Sequence, residues 1–68
     1  MPWDLISSTE AAKLLFVHPA TLRRYETSDG KWVEIYGMRI RVYRFDGGQR
    51  RYDRNEIIRE IQRLKKAR

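Results

Sequence analysis

Between Arg39 and Arg54 the chain sets six arginines against two acids, Asp46 and Asp53, around the pair Gly47-Gly48. Arginine carries a planar fork of donors that matches phosphate oxygens and the paired acceptors of guanine, so this cluster points to a polyanion. A second basic pair, Arg23 and Arg24, follows Pro19-Ala20-Thr21-Leu22. Residues for other chemistry are scarce. With no cysteine, thiol nucleophiles, disulfides, iron–sulfur centres and cysteine-based zinc sites all fall away. The single histidine, His18, has no second histidine or carboxylate at ligand spacing, so no metal is expected. Ser7, Ser8 and His18 lack a carboxylate at triad spacing, and no glycine-rich phosphate loop or H-E-x-x-H pair is present. The expectation is a protein without catalysis and without a cofactor.

The charge is unevenly spread. The 68 residues hold 15 Lys and Arg against 9 Asp and Glu, a formal net of +6, yet the first eighteen contain only Asp4, Glu10 and Lys13. All the excess positive charge therefore lies after His18, where a nucleic acid is the default partner. The length suits one domain, residues 1–68, with a thin core of a few kcal/mol, which self-association or a nucleic acid could supplement. The longest apolar run, Leu14 to Val17, is far below the ~20 residues that span a bilayer. A soluble, cytoplasmic and nucleoid-associated protein is expected, with no membrane partner.

Several elements must position these side chains. Ser7 and Glu10 fit a capping box for a first short helix, with Ile6 placed to pack back on Ala11 or Leu14. Pro19 cannot continue that helix but fits the first position of a second, about Pro19 to Glu26. In it Leu22 is the core residue, flanked by Val17 and Tyr25, while Thr21, Arg23 and Arg24 lie around the other side. Trp32 to Tyr36 reads as a strand, Gly37-Met38 as a turn and Arg39 to Phe45 as a strand with Ile40 and Val42 on one face, its alternation breaking at Arg44 and Phe45. Asp46-Gly47-Gly48 is a hairpin tip and Gln49 to Tyr52 a returning strand. Asp53 and Glu56 form a second capping signal before a helix from about Arg54 to Lys66, whose Ile57, Ile61 and Leu64 make an apolar stripe read as core.

Two surfaces emerge as candidates. The second helix offers His18, Ala20, Thr21, Arg23, Arg24 and Tyr25, of which His18 stands at the N-cap, open to either a structural or a phosphate-binding role. The hairpin offers Arg39, Arg41, Arg44, Gln49, Arg50, Arg51 and Tyr52. A narrow arginine-bearing hairpin suits the minor groove or the backbone. Trp32 and the tyrosines are read as buried area, and a base-stacking RNA module is a weaker alternative. A protein-interaction module using the aromatic hairpin or the last helix is another.

Three segments carry a resemblance: Ser8-Thr9-Glu10-Ala11-Ala12-Lys13-Leu14-Leu15, Val17-His18-Pro19-Ala20-Thr21-Leu22-Arg23-Arg24-Tyr25-Glu26, and Gly47-Gly48-Gln49-Arg50-Arg51-Tyr52-Asp53. From about Ile6 to Leu64 the chain resembles the winged helix-turn-helix of the MerR and excisionase-like superfamily, also found as the head of transposon serine resolvases. The resemblance implies an α+β fold, a helix-turn-helix followed by a β-hairpin wing and a C-terminal helix. It implies double-stranded DNA as partner, with the second helix in the major groove and Arg50, Arg51 and Tyr52 at the wing. Leu14, Val17, Leu22 and Ile57 would be core. Two departures stand out: Phe16 where the turn usually has glycine, and a longer span from Gly30 to Asp46 with an extra strand. Regulators of the MerR type add a dimerisation helix and an effector domain, which 68 residues do not accommodate, so no small-molecule effector is expected. A small transcriptional regulator or excisionase-like recombination factor is the expected role, and the head of a larger resolvase the alternative. Useful specificity from so small a footprint calls for a homodimer or cooperative copies on DNA.

Overall fold

The computed structural model describes residues 4–66; Trp3, Ala67 and Arg68 lie outside the described residues. It is a small compact α+β domain. The elements run β1 (Leu5–Ile6), α1 (Ser8–Leu15), α2 (Pro19–Arg24), β2 (Trp32–Ile35), β3 (Met38–Arg41), β4 (Tyr43–Phe45), β5 (Gln49–Asp53) and α3 (Arg54–Lys66). The antiparallel order β1-β5-β4 makes one sheet, and β2 and β3 form a separate antiparallel hairpin.

Helix α1 starts as its residues require: the Ser7 hydroxyl accepts the Glu10 N–H, and the Glu10 carboxylate turns back to the Ser7 N–H. Two orphan donors of the first turn are thereby satisfied. The helix stops in a Schellman arrangement, with the Val17 N–H bonded to the Ala12 carbonyl and the Phe16 N–H to Lys13. That geometry forces Phe16 into the left-handed region at φ 59°, a position that favours glycine. The Phe16 ring is 92% exposed, so it does not cover the core edge. Phe16→Gly is therefore expected to stabilise the domain by about 0.5–1 kcal/mol, the left-handed penalty less the added freedom of the unfolded chain. Urea unfolding followed by circular dichroism checks this.

The expected single strand from Arg39 to Phe45 is two strands. Val42 separates them: its side chain is buried and its N–H bonds the Lys31 carbonyl, so β3 pairs with β2 while β4 leaves to pair with β5. The turn before β3 is Tyr36-Gly37 rather than Gly37-Met38, because Ile35 pairs with Met38. Both turn residues have positive φ, 52° and 79°, the type I′ pattern whose twist matches antiparallel strands. The alternation of β2 and β3 then sends Val33, Ile35, Met38 and Ile40 inward.

Those four join Ile6, Ala11, Ala12, Leu15, Leu22, Val42, Tyr52 and Ile57 in one core. Leu14, Val17, Ile61 and Leu64 pack against it half-buried. Ile6 and Ala11 both enter the core, as the staple reading requires, and Ala11 and Ala12 are small enough to let neighbouring elements come close. Each fully buried aliphatic contributes roughly 1.5–3 kcal/mol of transfer free energy before entropy is charged against it.

Helix α3 is attached by its side chains as well as its apolar stripe. The Glu60 and Glu56 carboxylates accept the backbone N–H groups of Arg39 and Arg41, and Arg63 donates to the Gly37 carbonyl at 2.9 Å. The outer edge of β3 is thus capped residue by residue, which removes an open strand edge. The expected Asp53/Glu56 capping box does not form: Asp53 accepts the Asn55 N–H, but Glu56 is spent on β3.

This use of Glu56 has a measurable pH signature. Burial pushes its carboxyl up from the ordinary 4.5, against the opposing hydrogen bond from the Arg41 backbone. A raised carboxyl costs stability once ionised, and the cost vanishes as pH falls through the raised value. Glu56→Gln keeps an acceptor for Arg41 without the charge. It is expected to match or exceed the parent at neutral pH and to lose that advantage in acid, as read by paired denaturation curves. Glu60 behaves oppositely, since Arg63 holds its carboxyl down; its contribution is present above 4.5 and disappears as the folded group is protonated.

Candidate nucleic-acid interface

Helix α2 is built by Pro19 at its first turn and by His18, whose Nδ1 accepts the Ala20 N–H at 3.1 Å. His18 is therefore the cap in its own right, which fixes Nδ1 as an acceptor and leaves Nε2 facing away from that bond. Leu22 alone of the helix is fully buried. His18, Ala20, Arg23, Arg24 and Tyr25 are exposed and Thr21 half-buried, so one turn buries a leucine and presents the remaining side chains outward. Tyr25, 46% exposed, is not the core neighbour expected of it. Neither Arg23 nor Arg24 is engaged by a carboxylate among the described residues.

The hairpin β4–β5 turns at Asp46–Gly48, where Gly47 and Gly48 hold φ 72° and 82°. Its register sets Arg44 directly opposite Arg50, a like-charge pairing that would destabilise the ladder on its own. Glu26 resolves it. This residue lies just beyond α2, its side chain only 11% exposed, and its carboxylate receives Arg44 at 2.9 Å and Arg50 at 2.7 and 3.3 Å. The Arg50 contact is bidentate, and Glu26 holds that guanidinium even more firmly protonated than usual. Glu26 also bridges to Val33 of β2, so one residue ties α2, the β2–β3 hairpin and the β4–β5 hairpin together. Arg44 lies over Gly30, where an added Cβ would meet its guanidinium at 2.9 Å, so the glycine makes room for the pair.

The remaining hairpin candidates separate into groups. Arg51 donates to the Arg50 carbonyl and the Gln49 side chain, so these two residues form a local pair on β5 near the tip. Arg39 and Arg41 belong to the other hairpin, β2–β3. There the Arg39 guanidinium stacks on Trp32 at 4.2 Å from the ring centre and Arg41 lies 5.2 Å from it, with Glu34 pairing Arg39. Tyr52 corrects the expectation of a wing contact. Its ring is 1% exposed in the centre of the core and burial pushes its phenol up, because β5 alternates and the Tyr52 position faces inward.

Two contributors were not singled out by sequence reasoning, Glu26 and Trp32. Trp32, expected chiefly as buried area with base stacking as the weaker alternative, is half-buried and serves as a platform for two arginines of its own chain. A signal for Glu26 existed: a carboxylate at a helix C-terminus opposes the helix dipole, so its presence there implies a cationic partner elsewhere. Among the described residues no cluster of three or more acidic or histidine side chains is arranged to hold a metal, and no helix is long and apolar enough to cross a membrane.

These parts define a small α+β domain with an exposed basic helix turn and an arginine-rich hairpin braced by one glutamate. No protein-family model, curated protein or solved structure matches the chain.

Proposed function

We propose that this chain is a winged helix-turn-helix that binds double-stranded DNA with sequence preference and performs no chemistry on it. Helix α2 enters the major groove and the β4–β5 hairpin acts as the wing, on the backbone or in the minor groove. The role is that of a small transcriptional regulator or an excisionase-like recombination factor, working as a dimer or as cooperative copies on DNA. One observation carries the reading: Arg23 and Arg24 stand exposed on a capped helix with no carboxylate partner among the described residues, whereas Arg44 and Arg50 are already paired with Glu26. Free guanidiniums on a helix turn are what direct readout of base edges uses. On this reading Gln49, beside the wing tip, and Arg51, two residues further along β5, contact phosphate.

Selection of bound sequences from a randomised duplex pool at about 150 mM salt, near physiological ionic strength, tests the proposal. An enriched motif supports it, and repeats at fixed spacing within that motif would report how copies are arranged. Retention without enrichment would reduce the claim to nonspecific binding, and no retention would overturn it.

A further inference from the structure

Both non-glycine residues with positive φ among the described residues, Phe16 at 59° and Tyr36 at 52°, border the same recess. It is an apolar groove of about 250 Å³ between the end of α1, the β2–β3 turn and the second half of α3, lined by Leu14, Ile61 and Leu64 among others. Phe16 is 92% and Tyr36 65% exposed, so neither strained ring stabilises this domain by burial. Strain held at exposed aromatic side chains around an apolar recess is a reason to look for a function there. The recess is open and its lining almost wholly apolar, without the convergent polar groups that orient a cofactor, which suits a few side chains of another polypeptide.

Charge selects among polypeptides. Lys65 lines the groove, Lys66 follows it, and neither is paired with a carboxylate among the described residues. The acid nearest along the helix, Glu60, is already taken by Arg63 and the Arg39 backbone. A second copy of this +6 chain would bring like charges together at this rim. We propose that the groove docks an amphipathic helix of a partner protein, with apolar anchors one turn apart and acidic residues flanking them, in the helix-in-groove mode. None of the lining residues belongs to α2 or to the β4–β5 hairpin, so the groove stays open whatever those surfaces hold. The inference thus stands apart from the DNA reading.

The test uses the full chain and two labelled synthetic helical peptides with identical leucine and phenylalanine anchors, one flanked by glutamates and the other by lysines, followed by fluorescence anisotropy. The glutamate peptide is expected to bind at least about tenfold more tightly, with the preference shrinking as salt is added. Phe16→Ser, at a fully exposed position, and Lys65→Glu should each weaken it about fivefold or more while the circular dichroism spectrum is unchanged. Equal binding of the two peptides, or binding of neither, overturns the proposal. So does sedimentation showing self-association that Phe16→Ser abolishes, since the occupant would then be a second copy.

Discussion

Replacing Glu26 with alanine is expected to destabilise the domain by about 2–3 kcal/mol, below the 3–5 of a fully buried pair because Arg44 keeps 39% of its side chain in water. The loss has two parts. The carboxylate's hydrogen bonds to both guanidiniums disappear, and Arg44 and Arg50 are left facing each other across the β4–β5 ladder with nothing between them. A chain of this length has on the order of 3–10 kcal/mol of total stability, so the change consumes a large share of it. Urea denaturation should show a clear drop in midpoint. Glu26→Gln, which keeps one acceptor and removes the charge, should lose less. The double variant Glu26→Ala with Arg50→Ala should lose less than the sum of the two singles, because the second substitution removes an unpaired cation. A Glu26→Ala loss of only a few tenths of a kcal/mol would show that the triad is solvated and does not brace the fold.

The second large effect concerns binding. On a selected site, Arg23→Ala and Arg24→Ala should each cost about 1–3 kcal/mol, roughly five- to 150-fold in affinity, with a much smaller loss on random duplex. Equal losses on both would mean that α2 touches only phosphates. Arg44→Ala and Arg50→Ala should behave differently, lowering stability first and changing the salt dependence little, because their charge is already compensated within the protein. Arg51→Ala should reduce the slope of log affinity against log salt by about one contact's worth. Titrations at three or four salt concentrations distinguish these cases.

Much of the fold was legible because it is written in local chemistry. Ser7 with Glu10, Pro19 and the pair Gly47-Gly48 each have one favoured backbone use, and the apolar spacing through Ile57, Ile61 and Leu64 places α3 within a residue or so. What was not legible depends on long-range pairing. Nothing local at Val42 announces that the strand is divided, since its N–H is claimed by Lys31, eleven positions earlier. The Asp53/Glu56 box failed for the same reason: the Arg41 backbone, from another element, outcompeted the local donor for Glu56. In the site, the exposed turn of α2 follows from helix geometry around Leu22. The hairpin arginines were visible as a cluster, but their division among Glu26, Trp32 and the local Gln49 pair was not. A count of cations does not reveal which carboxylate or ring each one meets.

The Glu26 brace also bears on mechanical compliance. Because a single carboxylate joins the end of α2 to both strands of the β4–β5 hairpin, the span between that helix and the hairpin is set within the protein. On the proposed reading, two rigid jaws at fixed separation leave the duplex to do the adjusting. Bending or narrowing a groove to meet that span costs least at flexible pyrimidine–purine steps. Base pairs that no side chain touches would then be discriminated by their stiffness.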